Sequence, residues 1–146
     1  VNYPNYLFYS NLSSTEFYFE SIGSKGVINK VVAFQQTSVA TIYNLGLADY
    51  DPNTGEIDDT IINDNGDMEK ILATIFQVVI HYLSLNPEHI IYFSGNSPSR
   101  TRLYRIAINH SLDEITTQFD VLGVINSQPE SFIANRAYEG FLIRKK

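Results

Sequence analysis

One segment constrains the fold more than any other: Asp67 to Leu85, closed by Asn86-Pro87. Its apolar residues, from Met68 and Ile71 to Tyr82 and Leu83, cover most of a helical circumference. The polar ones, Lys70, Thr74, Gln77, His81 and Ser84, fall on one narrow line at spacings of three and four. A helix so broadly apolar needs cover on more than one side, from a sheet and from another element or subunit. Asp67 is placed to cap it, Glu69 suits the positive end of its dipole, and Asn86-Pro87 ends it. Its longest apolar run, Ile71 to Leu85, is interrupted and reads as too short to span a bilayer, so no membrane association is expected. His81 has no second His or Cys at ligand spacing and reads as a surface or packing residue.

Before this helix the period changes from helical to alternating. Glu16 to Ile22, Val27 to Gln36 and Thr41 to Asp51 read as strands, separated by turn chemistry at Gly23-Ser24-Lys25-Gly26 and followed by Asp51-Pro52-Asn53-Thr54-Gly55. In the second strand Val27, Val31 and Ala33 share one face, and Ile28, Val32 and Phe34 the other. Glu56 to Asn63 returns as a short strand or extended arm. The polar-aromatic residues 1–15 form a lead-in or a short edge strand from Tyr6 to Tyr9. This half is expected to be an antiparallel meander, and the whole chain a single α+β domain, 1–146, with a mainly antiparallel sheet.

After the helix comes a different pattern. Ile90 to Phe93 is a continuous apolar run, as in a strand covered on both faces. Ser94-Gly95-Asn96 breaks it, Ser97 is a good helix cap, and Pro98 is preorganised for a first helical position. The helix that follows carries Arg100, Arg102 and Arg105, with Leu103, Ile106 and Ala107 expected on its buried face. Backbone N–H groups at Ser99 to Thr101 would then point outward, a natural anion site. Cations in the first turns oppose the helix dipole by roughly 0.3–1 kcal/mol each where exposed, so something negative should offset them. Carboxylates of the acidic segment 49–69 would do so, and so would a phosphate-bearing ligand or nucleic acid; a solvated face is the remaining reading. The anion-binding candidates are Ser97, Ser99, Arg100, Arg102 and Arg105. The catalytic candidates are Arg102 for developing charge and Tyr104 or His110 as acid–base.

The helix should end near Asn109-His110. Ser111 to Glu114 has capping-box spacing for a second short helix. Phe119 to Ile125 reads as a strand with Gly123 as a bulge, Ser127-Gln128-Pro129 as a turn, and Phe132 to Ile143 as a last strand broken around Asn135 to Gly140. Arg144-Lys145-Lys146 reads as a solvated tail.

Composition excludes several classes. The formal charge of −6 argues against broad nonspecific nucleic-acid binding. The absence of cysteine excludes disulfides and thiolate chemistry. Asp49-x-Asp51-x-Asn53 opens like a calcium loop, yet Thr54 stands where such a loop needs glycine and Thr60 where it needs glutamate. No metal and no cofactor are expected. With no secretory signal visible, a soluble cytoplasmic protein is the default reading.

Three or four strands, a long helix, a strand, a helix and closing strands resemble the Gcn5-related acyltransferase fold without its N-terminal helices. That family's cofactor loop is matched only at Gly66, with Asn63 and Met68 at its other signature positions, and Asp64 and Asp67 would repel a pyrophosphate. Its later Asn-x-x-Ala-x-x-Leu-Tyr pattern is approached by Asn96 to Tyr104, one residue too long. The resemblance therefore implies the architecture, with a degraded activity. The strings Tyr43-Asn44-Leu45-Gly46, Thr54 to Asp59, Asn65-Gly66-Asp67 and Ser99 to Tyr104 also resemble an uncharacterised family of bacterial proteins of this length. Small proteins of this kind are often associated with toxin–antitoxin or defence pairs. Two functions follow as expectations. One is an enzyme, toxin-like, acting on RNA or a nucleotide. The other is a noncatalytic interaction module, antitoxin-like or a homodimeric scaffold with a protein partner, using 19 aromatic residues and the over-apolar helix.

Overall fold

The computed structural model describes residues 4–58, 65–95, 98–110 and 112–146. Readings that rest on Ser97, on Ser111, on residues 59–64, or on the side chains of Ser99, Arg100 and His110 lie outside the described residues. The chain is α+β and divides into two compact units, residues 2–35 with 46–84, and residues 36–45 with 85–146.

The first unit holds β1 (Tyr9–Ser10), β2 (Glu16–Gly23), most of β3 (Gly26–Gln36), the second half of β4 (Ile42–Tyr50), β5 (Ile57–Asp58) and α1 (Met68–Leu85). β1 pairs with β2, β2 with β3 and β4 with β5, all antiparallel. Alternation along β2 and β3 turns Phe17, Phe19, Val32 and Phe34 toward α1, and all four are buried. The Phe34 ring stacks on Tyr82 of the helix at 3.9 Å. The edge strand expected from Tyr6 to Tyr9 shrinks to Tyr9–Ser10, because Tyr6 is buried and bonded to the helix. Lys30, 3% exposed, pairs with Asp49.

The helix departs from its expected cover. Ile71, Thr74, Ile75, Val78, Val79, Tyr82 and Leu83 are buried, whereas Leu72, Phe76 and Ile80 are only half-buried. Its polar line is also broken at Thr74. That hydroxyl bonds back to the Lys70 carbonyl at 2.7 Å and accepts the Tyr6 N–H at 2.9 Å, so the residue is fully buried. By length and composition α1 is apolar enough to cross a bilayer, contrary to the sequence reading; one of its faces packs on β2 and β3 through Phe17–His81 and Phe34–Tyr82.

The loop before α1 is pressed onto the β2–β3 hairpin. Asn65, 2% exposed, donates to the Gly26 carbonyl at 3.0 Å and to Ser21 Oγ at 3.1 Å, and accepts the Lys25 N–H at 2.6 Å. Gly23 is required because its missing β-carbon would collide with the Asn65 backbone. Asp67 lends its carbonyl to the first helical turn, but its carboxylate accepts from Tyr6 and Ser21 at 2.5 and 2.6 Å. The expected cap is thus a bridge from helix to strand.

The second unit contains the first half of β4, β6 (Ile90–Phe93), α2 (Pro98–His110), α3 (Leu112–Gln118), β7 (Phe119–Ile125), β8 (Gln128–Ser131) and β9 (Gly140–Lys145). Its strand order is β4-β6-β9-β7-β8. β4 and β6 run parallel through Ile42↔Ile90 to Asn44↔Tyr92, and the other pairings in this unit are antiparallel. A parallel neighbour needs a long connection, and the chain between these strands includes α1. The meander reading had no such pair.

Other differences are local. Of β6 only Ile91 is fully buried. Among the described side chains of α2, Thr101, Tyr104 and Ile108 are buried, while Ile106 is exposed. The helix is rotated from the expected face because Tyr104 packs edge-to-face on Phe93, centroids 5.2 Å apart. Gly123 makes no bulge; it pairs in register with Phe141 and Glu130, and the Tyr138 ring occupies the space a β-carbon would take. The β7–β8 turn lies one residue earlier, at Asn126-Ser127, both at positive φ, as a type I′ hairpin turn requires. Pro129 sits in edge strand β8, where its lost donor is tolerated. Arg144 is no free tail: it lies in β9, with Nε 3.2 Å from Asp120.

Candidate anion-binding site

The site is built by the strand–loop–helix segment after β6. Pro98 is the first residue of α2, where a missing N–H costs nothing. Thr101, 8% exposed, accepts the Gly95 N–H on Oγ1 at 2.9 Å and ties the loop to the helix. That donor is therefore used within the protein. Arg102 is exposed and Arg105, almost one turn on, is half-buried. Both line a cleft of about 520 Å³, together with Gly95, Pro98, Thr101, Ala137, Tyr138 and Glu139.

The facing wall is held by β7 and β8. Glu139 donates its N–H to the Val124 carbonyl at 2.8 Å, and its carboxylate accepts the Ser127 N–H at 3.2 Å. The Tyr138 hydroxyl accepts the Ile133 N–H at 2.9 Å and donates to Glu130 at 3.0 Å. Burial raises the Tyr138 pKa, the Ile133 N–H lowers it, and the Glu130 carboxylate raises it further. Arg136 balances Glu130 at 3.3 Å, so this acid is already paired.

The electrostatics of the cleft are unbalanced in one respect. Among the described residues, no ion pair joins Arg102 or Arg105 to a carboxylate, Glu139 of the facing wall included. The Nε of Arg105 is buried without a hydrogen-bond partner among them. A guanidinium offers only donors, so a buried unsatisfied one calls for an acceptor.

The sequence candidates separate. Arg102 and Arg105 stand on the cleft. Ser99 and Arg100 fall in the first turn of α2, and His110 is its last residue. Tyr104, 5% exposed, is in the core against Phe93 rather than on the cleft wall. Sequence reasoning missed Ala137, Tyr138 and Glu139. Their sole local signal was the polar break expected around Asn135 to Gly140, because they meet α2 only through the pairing of β9 between β6 and β7. Among the described residues, no group of three or more His, Asp or Glu is placed to hold a metal.

An α+β chain with an arginine-lined cleft beside a helix N-terminus is the class these observations define. The chain belongs to the family described as "Family of unknown function (DUF6934)", whose model matches residues 2–146. No curated protein and no solved structure matches it.

Proposed function

We propose that the cleft at the start of α2 binds an anionic, phosphate-bearing ligand, with RNA or a nucleotide as the class. The observation that carries this reading is Arg105: among the described residues its Nε is buried without a hydrogen-bond partner, on a cleft also lined by Arg102, which forms no ion pair with them. Guanidinium groups suit phosphate oxygens because several N–H donors meet one planar acceptor set. A toxin-like enzyme would need an acid–base group on the cleft. Tyr104 is buried, and the Tyr138 hydroxyl is engaged with Glu130, so these two residues favour binding over chemistry.

The order of elements favours a second reading, a degenerate acyltransferase. Strands, a long helix, a strand, helices and closing strands follow one another as that resemblance implied. The cofactor loop it needs is matched only at Gly66.

The test is thermal stability with and without phosphate, sulfate and nucleoside phosphates. A ligand bound only by the native state raises the melting temperature by mass action. Arg102→Ala and Arg105→Ala should each weaken that response. No anion response at any concentration would remove the proposal.

A further inference from the structure

We propose that the face of the first unit turned away from α1 is a docking surface for a basic, arginine-rich segment of a partner protein. Alternation along β2 puts Glu16, Tyr18, Glu20 and Ile22 opposite to the helix-facing Phe17, Phe19 and Ser21. Register then adds Tyr9 beside Tyr18, Val27 beside Ile22, and Ile57 beside Tyr50. The tyrosines form a ladder across the strands. Tyr9 stacks on Tyr18 with centroids 5.4 Å apart, and Tyr18 meets Tyr50 at 5.1 Å. Val31, cross-strand from Tyr18, is 1% exposed beneath them.

This face is apolar and open where an ordinary sheet face would be polar. Tyr9 is 66% exposed, Ile22 60%, Val27 55% and Ile57 51%. Along strands β2 and β3 its charge has one sign. Glu16 and Glu20 are its ionised side chains on β2 and β3, since Lys30 lies on the other face against Asp49. Asp49 and Asp58 face each other across β4 and β5 on that same other side.

The combination selects the occupant. Arginine guanidinium groups stack on tyrosine faces and pair with carboxylates, and both residue types are enriched at interface cores. An acidic partner would be repelled. A second copy set face to face would bring Glu16 and Glu20 of each chain toward their own kind, an unfavourable arrangement. Tyr18 already donates to Glu16 at 2.9 Å, which holds that carboxylate at the rim of the ladder.

The test uses the whole chain and a blocked peptide alternating arginine and glycine, with a glutamate–glycine peptide as control. Ten tyrosines and no tryptophan make tyrosine emission the direct readout. At physiological ionic strength the arginine peptide should bind and the glutamate peptide should not. Tyr9→Ala, at an exposed edge position, should weaken binding about twofold to fivefold, as expected for loss of an exposed cation–π contact. Glu20→Gln, which keeps shape and removes charge, should also weaken it, with far-UV circular dichroism unchanged in both variants. Three results would overturn the proposal: no arginine-peptide binding, affinity unchanged in both variants, or self-association in sedimentation that Tyr9→Ala abolishes.

Discussion

The Tyr6 hydroxyl donates to Oδ2 of Asp67 at 2.5 Å and accepts the Ile22 N–H at 3.0 Å, so one phenol joins the lead-in, the end of β2 and the start of α1. Burial, then the Asp67 carboxylate, raise its pKa, while the Ile22 backbone and Ser21 act the other way. Among the described residues Asp67 Oδ1 is buried without a hydrogen-bond partner, so within them this carboxylate depends on the donors that reach Oδ2. Tyr6→Phe should keep the ring, strand the Ile22 N–H and remove one of those donors. The expected loss is about 1–3 kcal/mol in urea unfolding. Unchanged stability would show that water replaces the hydroxyl at no cost.

The two aromatic residues of α1 should separate by burial. Tyr82, 2% exposed and stacked on Phe34, should cost about 3–5 kcal/mol when replaced by alanine. Phe76, on the half-buried side, should cost clearly less. Equal losses in denaturant melts would contradict the one-sided burial of the helix.

Gly123→Ala tests the cleft wall. Its new β-carbon meets the Tyr138 ring, which must move or force β7 aside. Overpacking of this kind costs typically about 1–3 kcal/mol. Gly46→Ala in β4 meets nothing within 4 Å and serves as the control. If the anion site is real, Gly123→Ala should also alter the melting response to phosphate, because Tyr138 lines the cleft.

Tyr18 predicts an alkaline transition. Burial first, and then its bond to Glu16, lift its pKa from 10.0 to about 12. The unfolded phenol loses its proton first, so above pH 10 the unfolded state binds fewer protons and stability falls as pH rises. The contribution is fully present below pH 10 and is lost through about pH 12. Tyrosinate absorbance should show a late-titrating phenol that disappears in Tyr18→Phe, and Glu16→Gln should shift it downward.

Sequence by itself determined what depends on neighbours along the chain. The helix from Met68 to Leu85, the strands β6 and β7, and Pro98 at the start of α2 follow from period, caps and backbone geometry, all of which act over a few residues. The placement of two arginines beside a loop was legible for the same reason. Only the tertiary structure decided what those residues meet. The parallel pairing of β4 with β6 and the insertion of β9 between β6 and β7 join residues far apart in the chain, so no local pattern announces them. The same pairings bring Tyr138 and Glu139 to the cleft. Thr74 and Asp67 show the principle at single residues. By sequence Thr74 belongs to the polar line of α1 and Asp67 is its cap; in the structure each is engaged by Tyr6, which lies far from both along the chain.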